Sequence, residues 1–168
     1  RAGGLTSARS RPIPLLVMQV FDALSAAARA AALAGGAVAI GNFDGVHLGH
    51  QALVRRALAL ARARGARAGV LTFEPHPVRV LRPQLAPPLV TALPRKLELL
   101  EGLGLDAVVV QPFDLGYAGT GAAGFVERDL AGALGVRDVV VGWDFTAGHE
   151  RARVDALRPL LAARGLAL

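Results

Sequence analysis

The sequence predicts an α/β domain: a doubly wound parallel sheet with helices on both faces. Three observations carry that expectation. Four short apolar runs recur along the chain, near-continuous rather than alternating, as strands buried on both faces require. Segments of helical spacing separate them, the order a parallel sheet needs. Glycines stand where those helices should stop. In such sheets ligands sit beyond the carboxyl ends of the strands, so the residues just after each run become the candidates.

The elements follow in order. Asp22–Leu33 is alanine-rich and reads as a helix ended by Gly35-Gly36. Ala37–Gly41 is the first strand. Leu48–Arg64 is the clearest helix, with Leu53, Ala57, Leu58, Leu60 and Ala61 on one side, Arg55, Arg56 and Arg62 on the other, and Gly65 as its stop. Ala68–Phe73 is the second strand. The proline-rich stretch Glu74–Pro88 is expected to hold no regular element. Thr91 is placed to cap a helix reaching Leu103. Ala107–Val110 is a third strand, Gly121–Leu134 a helix, Val139–Val141 a fourth strand and Val154–Arg164 a last helix. Leu166–Leu168 could open a fifth strand. Residues 1–17, with Gly3-Gly4, two prolines and no period, read as an extension outside the domain, and Met18 reads as its start.

Composition narrows the function classes. The chain has 168 residues and no cysteine, which excludes disulfide scaffolds, cysteine nucleophiles and cysteine-held metals. No uncharged apolar run approaches the ~18 residues of a bilayer span. A soluble, cytoplasmic domain without membrane association is expected. The net charge of +6 invites nucleic acid, but half the excess comes from Arg1, Arg9 and Arg11. The other arginines are scattered, Lys96 is the only lysine, and no aromatic residues interleave them. No nucleic-acid site is expected.

The chemistry concentrates after the first strand, in Gly41-Asn42-Phe43-Asp44-Gly45-Val46-His47-Leu48-Gly49-His50. Histidines three apart at a helix start share a face with free backbone amides and the positive end of the helix dipole. Gly41 and Gly45 allow a tight turn, and Gly49 leaves room for close approach. Amides plus two imidazoles make an anion site suited to phosphate. The competing reading is that the histidines merely cap the helix or bind a metal.

His47-Leu48-Gly49-His50 resembles the His-x-Gly-His signature of the nucleotidyltransferase superfamily. The longer Gly41–His50 string is similar to one branch, the adenylyltransferase module of bacterial bifunctional riboflavin kinase/FAD synthetases. Three further segments match in order: Thr72-Phe73-Glu74-Pro75-His76-Pro77, Pro94-Arg95-Lys96-Leu97-Glu98-Leu99-Leu100 and Val141-Gly142-Trp143-Asp144-Phe145. The resemblance implies a Rossmann-like nucleotidyltransferase fold over residues 18–168. It implies the reaction FMN + ATP → FAD + pyrophosphate, with Mg²⁺, on small-molecule nucleotides and flavin. It gives His47 and His50 to the ATP phosphates and places Asp144 at the adenylylation site. Gly41, Asn42, Phe43, Asp44, Gly45 and Gly49 would shape the nucleotide pocket; Phe73, Pro75 and His76 would face the flavin. Phe145, Gly148 and Arg151 would belong to the loop that closes on it. No protein ligand to a metal is assigned.

Read on their own, some of these residues stay open. Phe73 can equally be strand core and His76 a surface residue. Arg95 and Lys96 can equally be a solvated helix start, and Trp143 a cover or a packing group. Tyr117 and Phe113-Asp114 give no separate signal.

The chain also departs from the family pattern. Ala147, Glu150, Arg153 and Val154 replace the aromatic, basic and glycine positions expected after Asp144-Phe145. The Ser/Thr-Arg phosphate motif expected after a further strand does not appear before Leu168, nor does a kinase domain. The resemblance therefore implies a C-terminally truncated module. Competing readings are a degenerate, catalytically weak flavin- or nucleotide-binding protein, and another nucleotidyltransferase of the superfamily. Oligomeric state is not readable.

Overall fold

A computed structural model describes residues 17–168. Apart from Val17, the expected N-terminal extension lies outside the described residues. The chain runs β1 (Gln19–Phe21), α1 (Leu24–Arg29), β2 (Ala37–Ile40), α2 (Leu48–Ala63), β3 (Ala68–Glu74), α3 (Pro77–Leu81), α4 (Leu93–Glu101), β4 (Ala107–Pro112) and α5 (Leu115–Ala118). Then come α6 (Ala122–Gly124), β5 (Asp138–Val140), a two-residue hairpin of β6 (Thr146–Ala147) and β7 (Ala152–Arg153), and α7 (Val154–Ala162).

Five strands form one parallel sheet in the order β1-β4-β3-β2-β5. From β2 the chain winds through β3 and β4 in one direction, and β5 returns to the other side of β2. The switch point therefore lies between β2 and β5, where a crevice opens beyond the strand ends. The predicted fold class holds.

Strand alternation explains the two-faced core. Ala37 and Ala39 of β2 pack with Val54, Ala57 and Ala61 of α2 on one face. Val38 and Ile40 point to the other, against Leu24, Phe125, Leu130 and Leu161. Small residues under α2 let that helix, which carries the two histidines at its start, lie close to the sheet.

Several boundaries differ from expectation for physical reasons. The alanine-rich helix is only α1: Ala31 turns left-handed (φ 47°), and Leu33 is buried in the core instead of continuing the helix. Strand β1 went unseen because three half-exposed edge residues carry no burial pattern. The proline-rich loop does hold regular turns, α3 and a 3₁₀ turn at Pro83–Leu85. Proline is tolerated at a first helical position, where its missing N–H has no partner to lose. The segment from Gly121 continues past α6 as a wider π-type helix, Phe125–Leu134, closed by left-handed Gly135. Leu166–Leu168 makes a single parallel bridge, Asp138 to Ala167, rather than a strand. Among the described residues no helix is long and apolar enough to cross a membrane.

Candidate active site

The turn between β2 and α2 is sharply wound. Phe43 and Val46 are non-glycine residues at positive φ (52° and 40°), and Gly45 is at 74°. Fully buried Phe43 anchors it: a Cβ added at Gly41 would stand 3.4 Å from the Phe43 ring. The turn delivers His47 to the N-cap of α2, where its Nδ1 accepts the His50 N–H at 3.4 Å. The capping reading is thus true of His47, and the two imidazoles still stack with centroids 3.6 Å apart. A Cβ on Gly49 would sit 3.2 Å from the His47 ring, so glycine there leaves the ring its place. His50 is half-buried, its ring also against Phe43 at 5.1 Å. Burial, helped by the neighbouring His47, pushes its pKa down to about 4. Its Nδ1 is buried and has no hydrogen-bond partner among the described residues.

Asp44 ties the turn to the segment before α4. Its carboxylate accepts the Val90 N–H (3.0 Å), the Thr91 N–H (2.8 Å) and the Thr91 hydroxyl (3.0 Å), while Gly45 N–H donates to that hydroxyl at 2.9 Å. Burial alone would raise its pKa, but these donors and the Lys96 charge outweigh it and hold the carboxyl below its usual value. Thr91 consequently does not cap α4; Ala92 takes the N-cap, without a side-chain bond. Arg95 is the solvated helix start, paired with Glu98 at 2.8 Å. Lys96 is not: it is 5% exposed and donates to the Asn42 carbonyl at 3.1 Å. The Thr72 hydroxyl donates to the same carbonyl, also at 3.1 Å.

Beyond β3 and β4 lies an aromatic cluster. Phe73 meets Phe113 at 5.8 Å and Tyr117 at 6.1 Å, and those two meet edge-on at 5.8 Å. Phe113 and Tyr117 carried no sequence signal because only the pairing of β3 with β4 brings them beside Phe73. Tyr117 donates to buried Asp129 at 2.9 Å, and the Arg128 guanidinium grips the same carboxylate. Pro75 follows a cis peptide, and His76 caps α3 by accepting the Val78 N–H at 3.2 Å. Burial lowers the His76 pKa.

On the far side of the switch point, the loop after β5 is open. Trp143 is 84% exposed, which removes the packing alternative, and Asp144 is exposed too. Asp144 is near enough to His50 to raise its proton affinity. Phe145 packs against the core. Gly148 (φ 76°) and Arg151 (φ 55°) form the β6–β7 turn, which the Glu150 carboxylate ties to the Ala122 N–H at 2.7 Å. These two are held beside α6, not beside the histidines. A groove of about 490 Å³ runs along β5, bordered by Trp143, Arg56 and Arg158; neither His47 nor His50 lines it.

The structure thus gathers Gly41–Gly45, His47, Gly49 and His50 on one turn, backed by Thr72 and Lys96. Phe73, Pro75 and His76 stand at the next strand end. Among the described residues no three His, Cys, Asp or Glu side chains come together to hold a metal ion.

The sequence profile of the FAD synthetase family matches residues 29–167. A bifunctional riboflavin kinase/FMN adenylyltransferase of Bacillus subtilis (strain 168) is 38% identical over 112 residues, 66% of this chain and 35% of that protein. That of Listeria monocytogenes is 40% identical over 116 residues, covering 67% and 36%. That of Escherichia coli (strain K12) is 38% identical over 117 residues, covering 70% and 37%. The chain therefore spans little more than a third of the length of these relatives. Among solved structures, a protein described as a macrolide-efflux protein from Streptococcus pneumoniae superposes with a TM-score of 0.71 at 21% identity, covering 90% of this chain and 49% of that one. That likeness speaks to the fold alone.

Proposed function

The chain belongs to the FAD synthetase family, and we propose that it transfers the adenylyl group of ATP to the phosphate of FMN, giving FAD and pyrophosphate. We take residues 18–168 as the module that does so. It would act in the cytoplasm on small molecules rather than on nucleic acid, with FMN supplied by phosphorylation of riboflavin, the other activity in the relatives' names.

One observation carries the reading: a stacked histidine pair at the N-terminus of α2, at the switch point, with one buried imidazole nitrogen that has no partner among the described residues. Adenylyl transfer asks for that arrangement. An FMN phosphate oxygen attacks the α-phosphorus of ATP, a new P–O bond forms, and the bond to the β-phosphate oxygen breaks. Little covalent work falls to the protein; it must align the reactants and stabilise charge on the phosphoryl oxygens. The α2 amides and the two imidazoles would supply donors there. Phe73, Phe113 and Tyr117 offer ring edges and faces for a flavin on the adjacent strand ends. Asp144 stands across the crevice, where the acceptor side of the reaction would lie. No protein cage fits Mg²⁺ among the described residues, so no step here is routed through it.

Ala147 and Glu150, which depart from the family pattern after Asp144-Phe145, favour a second reading, a binding protein that no longer catalyses. Incubating the chain with ATP and FMN and separating the flavins decides between them. FAD formation is the expected result. ATP binding measured in buffers of different ionisation enthalpy should show proton uptake at pH 6. Bound phosphate would raise a His50 pKa that rests at about 4, so affinity should tighten as pH falls from 7 towards 5. Binding without FAD would favour the second reading; no binding of ATP, FMN or FAD would end both.

A further inference from the structure

We propose that Lys96 is a positioning residue for the histidine turn: with Thr72 it pins the Asn42 carbonyl and so fixes the backbone that presents His47 and His50. The inference rests on the adenylyl-transfer reading for its kinetic consequence but not for its structural one.

Lys96 is 5% exposed, and burial lowers its pKa, against the pull of Glu74 and Asp44. A buried ammonium is expensive unless it is paired and hydrogen-bonded. Here the pairing is thin. Glu74 lies 4.0 Å away, beyond hydrogen-bond distance, and among the described residues the ammonium's hydrogen bond goes to the neutral Asn42 carbonyl at 3.1 Å. An ion pair for stability alone would have brought the carboxylate closer. The ammonium is spent on a backbone oxygen instead.

That oxygen is where the turn needs holding. Asn42 immediately precedes Phe43, whose positive φ an L-residue adopts only when its surroundings impose it. Two donors from different elements, the Thr72 hydroxyl of β3 and the Lys96 ammonium of α4, converge on the one carbonyl. Two residues on, Asp44 and then Gly45 meet Val90 and Thr91, the segment leading into α4. The turn is therefore clasped to α4 at two points, and Lys96 is the inner one. Its charge also acts on His50 and His76, lowering the proton affinity of both. It thus adds positive potential beside the pair that would meet a polyphosphate.

The test compares Lys96→Met, which removes donor and charge, with Lys96→Gln, which keeps a donor towards Asn42. Thermal melting, backbone and imidazole resonances, and FAD formation are read on each. Lys96→Met should displace the Phe43, Gly45, His47 and His50 resonances and lower kcat about tenfold or more, with KM for ATP changing less than about threefold. Lys96→Gln should restore the turn resonances and recover part of kcat. Should Lys96→Met fail to fold, a scalar coupling across the hydrogen bond from Lys96 Nζ to the Asn42 carbonyl carbon, read on the unmodified chain, carries the test: its presence is expected and its absence would overturn the proposal. Turn resonances and kcat per folded molecule unchanged in the folded variants, whatever their melting temperature, would overturn the proposal. If the unmodified chain forms no FAD, the reaction fails while the resonances still decide the role of Lys96.

Discussion

The two strand ends that flank the switch point are built on opposite plans. After β2, the Gly41–His50 turn is wound through three positive-φ residues and clasped by Thr72, Val90, Thr91 and Lys96. After β5, Trp143 and Asp144 stand in solvent, and the following hairpin is held to the body by Glu150 on Ala122 and by His149 N–H on the Thr120 carbonyl. The difference teaches where each part of the chemistry can be prepared in advance. Donors for a polyanion work best when fixed before the ligand arrives, because no reorganisation is then needed. A group that must meet a second substrate gains from an open approach.

The contrast can be broken at three places. On the proposed adenylyl transfer, the largest effect should come from His50→Ala; kcat for FAD formation should fall ~10²–10³-fold, the scale of one lost oxyanion-type donor. Turnover close to that of the unmodified chain would mean the turn is only scaffolding. Asp44→Ala comes next. It leaves the Val90 and Thr91 amides without their acceptor, and should cost about 2 kcal/mol, a fall of roughly 4–8 °C in Tm by circular dichroism. Glu150→Ala, on the open side, should lower Tm less than Asp44→Ala, because it strips one backbone amide of its acceptor rather than two and leaves the His149 N–H bond to Thr120 in place. A larger loss from Glu150→Ala than from Asp44→Ala would reverse the comparison.

Much of the fold was legible because burial on both faces writes itself as apolar runs, and because α2 buries a stripe of small residues at helical spacing. The histidine turn was legible for a local reason: its glycines, histidines and helix start all lie within ten consecutive residues. What escaped was whatever depended on distant residues meeting. Lys96 stays open between a solvated helix start and a site residue until α4 is laid against the turn. The Val90 and Thr91 partners of Asp44 lie 46 and 47 residues along the chain, so no local pattern points to them. Phe113 and Tyr117 gain meaning only beside Phe73. Strand β1 was missed because its Gln19 and Val20 are exposed at the sheet edge, so the alternation that marks a strand is absent.

Lys96 is the only lysine in the chain, and it is buried. An acylating reagent aimed at lysine side chains therefore finds no target on the folded surface of this protein. Its reaction at Lys96 waits on the transient opening that lifts α4 away from the turn, and the rate reads the free energy of that opening. Nucleotide that binds only the closed turn should slow the reaction in proportion to its occupancy. A single buried amine thus gives the protein an intrinsic chemical clock for the breathing of its candidate site.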